Sequence, residues 1–212
     1  MLTPDSTVTR LLLAARALRA FADGFVAVLL PAYLLALGLG QIEVGLLSTA
    51  TLIGSALATL AVGRWGHRFP SRRLMMAAAV LMAATGLGFA AASSLWPLLI
   101  IAFVGPLNPG GGDASVFLPL EHAALASATS AETRTAAFAR YSFVGTTFGA
   151  VGALGAAVPP WLAGAAGMSM LDALRIMFIV HAAIAVTVWA LYRSLPRPAA
   201  GRAGPDAPAA PL

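Results

Sequence analysis

Apolar stretches separated by short polar breaks dominate this chain. A helix needs about 20 mostly apolar residues to cross a hydrocarbon core of roughly 30 Å. Six runs qualify, at about 11–37, 44–62, 74–92, from 95 to a break near 106–112, 135–158 and 171–192. No period-two alternation recurs between turn signals, so a β-barrel is not expected. Pro159 and Pro160 are expected to end the fifth run, because proline cannot donate to a continuing helical ladder. The connection from Asp113 to Arg134 is the longest internal one and reads as partly helical structure along the cytosolic surface.

Composition agrees with the pattern. The chain is 59% hydrophobic and 10% charged, whereas a soluble domain is about 25% charged. The fold class read from this is all-α: a polytopic integral membrane protein with six transmembrane helices in a 3+3 bundle. Net charge is +5, with no lysine. Arg10, Arg16, Arg19, Arg64, Arg68, Arg72, Arg73, Arg134, Arg140, Arg193, Arg197 and Arg202 fall on one side if the N-terminus is inside, and only Arg175 on the other. The positive-inside rule then places both termini in the cytosol, and these short basic loops argue for orientation rather than nucleic-acid binding. The lysine-free, alanine-rich composition suggests a GC-rich genome and a bacterial inner membrane. There is no cysteine, so disulfides and thiolate metal sites are excluded. No cleavable signal is evident, since the first run is long and carries Arg16, Arg19 and Asp23. The expected organisation is a cytosolic segment 1–10, a six-helix membrane domain 11–193 and a disordered, Pro/Ala/Gly-rich cytosolic tail 194–212.

The loop after the second run reads Gly63-Arg-Trp-Gly-His-Arg-Phe-Pro-Ser-Arg-Arg73. It resembles the signature loop of the major facilitator superfamily: glycine, three residues, acid, basic residue, any, glycine, any, two basic residues. Gly63, Arg68, Arg72 and Arg73 fall on their positions, while His67 stands for the acid and Pro70 for the second glycine. The resemblance implies the N-terminal six-helix half of an alternating-access transporter, with Gly63, His67, Arg68, Arg72 and Arg73 forming a cytosolic gating loop. It also implies no covalent chemistry and no bound cofactor.

Other candidates follow from charge at membrane depth, where an ionisable group is costly and faces a partner or a cavity. Arg19 and Asp23 are spaced i, i+4 on one helical face; Asp23 reads either as a coupling carboxylate with Arg19 as its partner or as half of a structural ion pair. Asn108, in the break Val104-Gly-Pro-Leu-Asn-Pro-Gly-Gly-Gly-Asp113, and His181, midway along the last run, are the candidate lining residues. The break also reads as a simple helix cap, and His181 as a packed neutral histidine. Gly145, Gly149, Gly152 and Gly155 lie at spacings that let helices approach closely. No metal site is read.

The function these readings favour is movement of a small solute, with proton coupling through Asp23. The expected partners are the lipid bilayer, the solute, and a second six-helix half or a second copy of the chain. The competing reading is a non-transporting scaffold or a truncated transporter. A rhomboid-like serine protease is disfavoured, because Ser115 lacks the following glycine of a Gly-x-Ser-x-Gly context.

Overall fold

The computed structural model describes residues 4–107 and 115–196, and all the regular structure among them is helical. Eight α-helices follow in order: α1 (Pro4–Ala36), α2 (Gln41–Trp65), α3 (Ser71–Ala91), α4 (Leu95–Val104), α5 (Phe117–Ser127), α6 (Ala131–Leu154), α7 (Val158–Ala166) and α8 (Met170–Arg193). Short 3-10 turns at Gly66–Arg68 and Gly155–Ala157 follow α2 and α6. Five helical stretches among the described residues are long and apolar enough to cross a membrane: Thr7–Ala36, Gln41–Arg68, Ser71–Ala91, Ala131–Ala166 and Met170–Arg193. The expected fourth span is represented by α4, a 10-residue apolar helix, followed by α5.

One expectation needs correction. Pro159 and Pro160 do not end a helix; they open α7, where a missing N–H and a fixed φ are tolerated in the first turn. The first helix starts at Pro4, ahead of the apolar run it contains. The long internal connection is partly helical, as read, in α5, and one face of that helix is buried: Phe117, Leu120, Glu121 and Leu125 pack against the bundle, an i, i+3, i+4, i+8 face that puts a carboxylate inside.

Packing is pairwise: α1 lies along α6, α2 along α4 and α3 along α8, while α1 also meets α8. Glycine decides how close the first two pairs come. A Cβ on Gly24 would lie 2.1 Å from the Gly149 carbonyl oxygen, and one on Gly152 would lie 2.1 Å from that of Phe21. In the second pair a Cβ on Gly54 would reach 1.8 Å from the Phe103 oxygen. The Gly145–Gly155 series is therefore a helix seam, as its spacing suggested. In the α3–α8 pair a Cβ on Gly86 would lie 2.8 Å from the Phe178 oxygen, and the pair is also tied at its ends. At one end Arg175 of α8 donates to Ser93 Oγ at 2.8 Å, and Tyr33 of α1 joins there by donating to the Phe89 and Ala92 carbonyls (2.5 and 3.0 Å). Between the ends, Phe178 packs on Phe89 and Tyr33 with ring centroids 5.2 and 4.8 Å apart.

At the opposite end, Arg72 in the first turn of α3 donates to the carbonyls of Tyr192 (3.2 Å) and Arg193, closing the last turn of α8. A cation there satisfies orphan carbonyls and opposes the negative end of the helix dipole. Arg72→Gln is expected to cost about 1 kcal/mol and to speed amide exchange in the last turn of α8, read by hydrogen–deuterium exchange in lipid nanodiscs. Unchanged protection there would mean the contact contributes nothing.

Candidate functional site

The polar centre of the bundle is built on Glu121. Its carboxylate is fully buried and accepts from three helices at once: Arg19 of α1 and Tyr141 of α6 on Oε2, Tyr192 of α8 on Oε1. A charge removed from water is stable only when paired and hydrogen-bonded, and here both oxygens of the carboxylate are engaged. Arg19 is 1% exposed, lies 3.5 Å from Tyr141 Oη, and stacks its guanidinium 4.1 Å above the Phe117 ring. Phe117 in turn stacks with Tyr192. Arg16, one turn before Arg19, rests 5.1 Å over the other phenol, Tyr141, in space left by Gly145. His122 packs edge-on against Tyr141 and Phe138. Cation–π contact and the ion pair together hold two guanidinium groups inside an apolar bundle.

This centre is joined to the basic loop through one residue. Tyr192 gives its hydroxyl to Glu121 and its carbonyl to Arg72. Arg72 is thus the loop residue that engages the bundle, while Gly63, His67, Arg68 and Arg73 are exposed. No carboxylate stands at the loop position taken by His67, and Arg72 uses helix-end carbonyls as its acceptors.

The remaining candidates are dispersed. Asp23 is half-buried one turn beyond Arg19 and lies within electrostatic reach of it, but the ion pair Arg19 forms in the core is with Glu121. His181 is completely buried between α8 and its neighbours, edge-on to Phe25 of α1 at 6.4 Å and beside Gly86 of α3; neither ring nitrogen has a hydrogen-bond partner. Asn108 lies outside the described residues. No cluster of three His, Cys, Asp or Glu side chains fit for a metal occurs among the described residues.

Sequence reasoning missed Glu121, Tyr141 and Tyr192. A signal for Glu121 was present: it interrupts the apolar run Phe117-Leu-Pro-Leu-Glu-His-Ala-Ala-Leu125 just as Asp23 interrupts the first run. The two tyrosines carried none, since a tyrosine near a span end reads as an interfacial anchor.

Comparison with known proteins agrees with this all-helical membrane architecture. A Saccharomyces cerevisiae protein described as an uncharacterized membrane protein is 26% identical over 145 residues, which is 68% of this chain. The chain spans about a third (32%) of the length of that curated relative. No solved structure matches. The model of the Major Facilitator Superfamily matches residues 12–211, nearly the whole sequence. The chain is a membrane protein that belongs to the Major Facilitator Superfamily.

Proposed function

We propose that this chain is a six-helix half of a secondary transporter that moves a small solute by alternating access. The family match over residues 12–211 carries the reading. The helix pairing supports a 3+3 bundle: exchanging the first three spans for the last three turns the α1–α6 pair into the pair of α2 with the fourth span. It leaves α3–α8 as itself. Two related three-helix units are the repeat from which halves of this superfamily are built. Substrate sites lie between two halves, so a second six-helix body, separately folded or a second copy, completes the path. The short basic loops support a cytosolic location for both termini, in a bacterial inner membrane.

Asp23 is assigned the coupling proton. It sits at membrane depth and is half-exposed, whereas Glu121 has both oxygens engaged and Arg19 against it. A carboxylate that must take up and release a proton needs access, which full burial denies Glu121. Arg19 biases Asp23 electrostatically, Arg72 anchors the cytosolic gating loop (Gly63, His67, Arg68, Arg72 and Arg73), and His181 and Asn108 are assigned to the path between helices. Asp23→Asn is expected to abolish the dependence of solute uptake on an imposed pH gradient in proteoliposomes while leaving thermal stability near that of the parent. Uptake that keeps its full pH dependence would remove Asp23 from this role.

A non-transporting scaffold is the second reading, favoured by the buried Glu121 centre that ties α1, α5, α6 and α8 together. Size measurement in mild detergent beside a flux assay separates the two: a lone monomer without flux supports the scaffold.

A further inference from the structure

Two neighbouring helices carry an exposed apolar stripe that ends in an exposed arginine at the same end of the bundle. On α3 the stripe is Arg73, Ala77, Val80, Ala84 and Leu87; on α8 it is Ile179, Ala183, Val186, Ala190 and Arg193. Both follow the i, i+4, i+7, i+11, i+14 spacing of a single helical face. At a rise of roughly 1.5 Å per residue, Ala77 to Leu87 and Ile179 to Ala190 each run about 15–17 Å, the depth of one leaflet of a hydrocarbon core. An acyl chain lying on either stripe would therefore bring its headgroup to the arginine.

The two arginines are held close by the packing. Helices α3 and α8 lie along each other, and Arg72 fastens their ends by donating through Nε to the Tyr192 carbonyl and through Nη2 to that of Arg193. Its Nη1 group remains available to an anion. Among the described residues Arg73 and Arg193 make no ion pair. The Arg193 guanidinium lies 5.4 Å over the ring of Trp189, one turn back into the span, so it is turned toward the membrane. Indole rings gather at headgroup depth, and an acidic soluble partner would have to draw Arg193 off that ring. Guanidinium groups bind phosphate oxygens through paired donors, and basic sites between helices at the membrane surface hold anionic headgroups. A zwitterionic headgroup brings its own cation and leaves the arginine charge uncompensated.

We propose that Arg73 and Arg193, joined by Arg72, bind the phosphate of an anionic phospholipid whose acyl chains lie on the α3 and α8 stripes. The lipid then ties together the two helix ends that Arg72 already bridges. This site depends on the membrane location of the chain and not on any transported solute.

The test uses the full chain in mild detergent, titrated with dioleoylphosphatidylglycerol or with dioleoylphosphatidylcholine, while native mass spectrometry counts the lipids retained. One phosphatidylglycerol per chain is expected to saturate where phosphatidylcholine stays unbound. Arg73→Gln with Arg193→Gln should weaken that binding about thirtyfold, the loss of two arginines from an anionic headgroup. Arg134→Gln with Arg140→Gln removes equal charge from exposed positions of α6, which packs on α1, and should leave binding unchanged. Equal losses in the two double variants would mean general charge attraction and would overturn the site, as would equal retention of the two lipids. Displacement of the lipid by inorganic phosphate would make a free anion the ligand and overturn the proposal too. Should the Arg73 and Arg193 variant fail to fold, hydrogen exchange on the parent decides. Phosphatidylglycerol should slow exchange in the first turn of α3 and the last turn of α8, and unchanged exchange at both refutes the site.

Discussion

Glu121→Gln is expected to lower the stability of the bundle by about 3–5 kcal/mol, the cost of leaving a buried charge without its partner. The substitution keeps shape and volume but strips the negative charge from the one group that α1, α5, α6 and α8 share. Arg19 is 1% exposed and cannot reach water without leaving its place over Phe117. The informative variant is the double one. A buried pair replaced on both sides by apolar groups of similar size is often no less stable than the original, so Arg19→Met with Glu121→Leu should recover most of the loss. Reversible unfolding in mixed detergent micelles measures all three proteins. If the double variant is as unstable as Glu121→Gln, the loss comes from the tyrosine hydroxyls and α5 packing rather than from uncompensated charge.

Gly24→Val should be comparably severe, at about 3 kcal/mol, toward the upper end of what overpacking costs. The added Cβ alone would fall 2.1 Å from the Gly149 oxygen and 3.0 Å from the Ala153 nitrogen. Both are backbone atoms of α6, so no side-chain rotation relieves the contact. The helices must separate, and the seam that Gly24 and Gly152 share would open along its length. Gly45→Ala supplies the contrast: a Cβ there meets nothing within 4 Å, and alanine in a helix interior gains roughly 0.5–1 kcal/mol over glycine. The same unfolding assay applies. Similar stability in the two glycine variants would show that the α1–α6 seam is not close-packed in the bilayer.

Five spans among the described residues were legible in the sequence because apolar length is a physical requirement of crossing a bilayer, and it survives every detail of packing. The glycine seam was legible for a related reason: spacing on a helix fixes which residues share a face. What escaped was tertiary. The fourth run ends in a glycine-rich break, so the residues after it, Glu121 among them, read as a partly helical connection along the cytosolic surface. Only the return of α5 into the bundle shows that its apolar flanks are a buried face and that its carboxylate is Arg19's partner. Asp23, four residues from Arg19, was the nearer candidate by spacing; a partner 102 residues away leaves no local trace. Tyr192 illustrates the limit differently. Its position near the end of a span fits a membrane-interface tyrosine, yet it turns inward and connects Arg72 to Glu121.

The claim that organises these observations is that the bundle moves solute. It is tested most directly by purifying the full chain from its own membrane in mild detergent, so that any second half is retained. The preparation is then reconstituted into liposomes, and solid-supported-membrane currents are recorded across a panel of small cationic, anionic and neutral solutes. A saturable current that depends on the proton gradient, is absent from empty liposomes and disappears in Asp23→Asn is the expected result. A folded preparation that gives no solute-dependent current anywhere in the panel would contradict it.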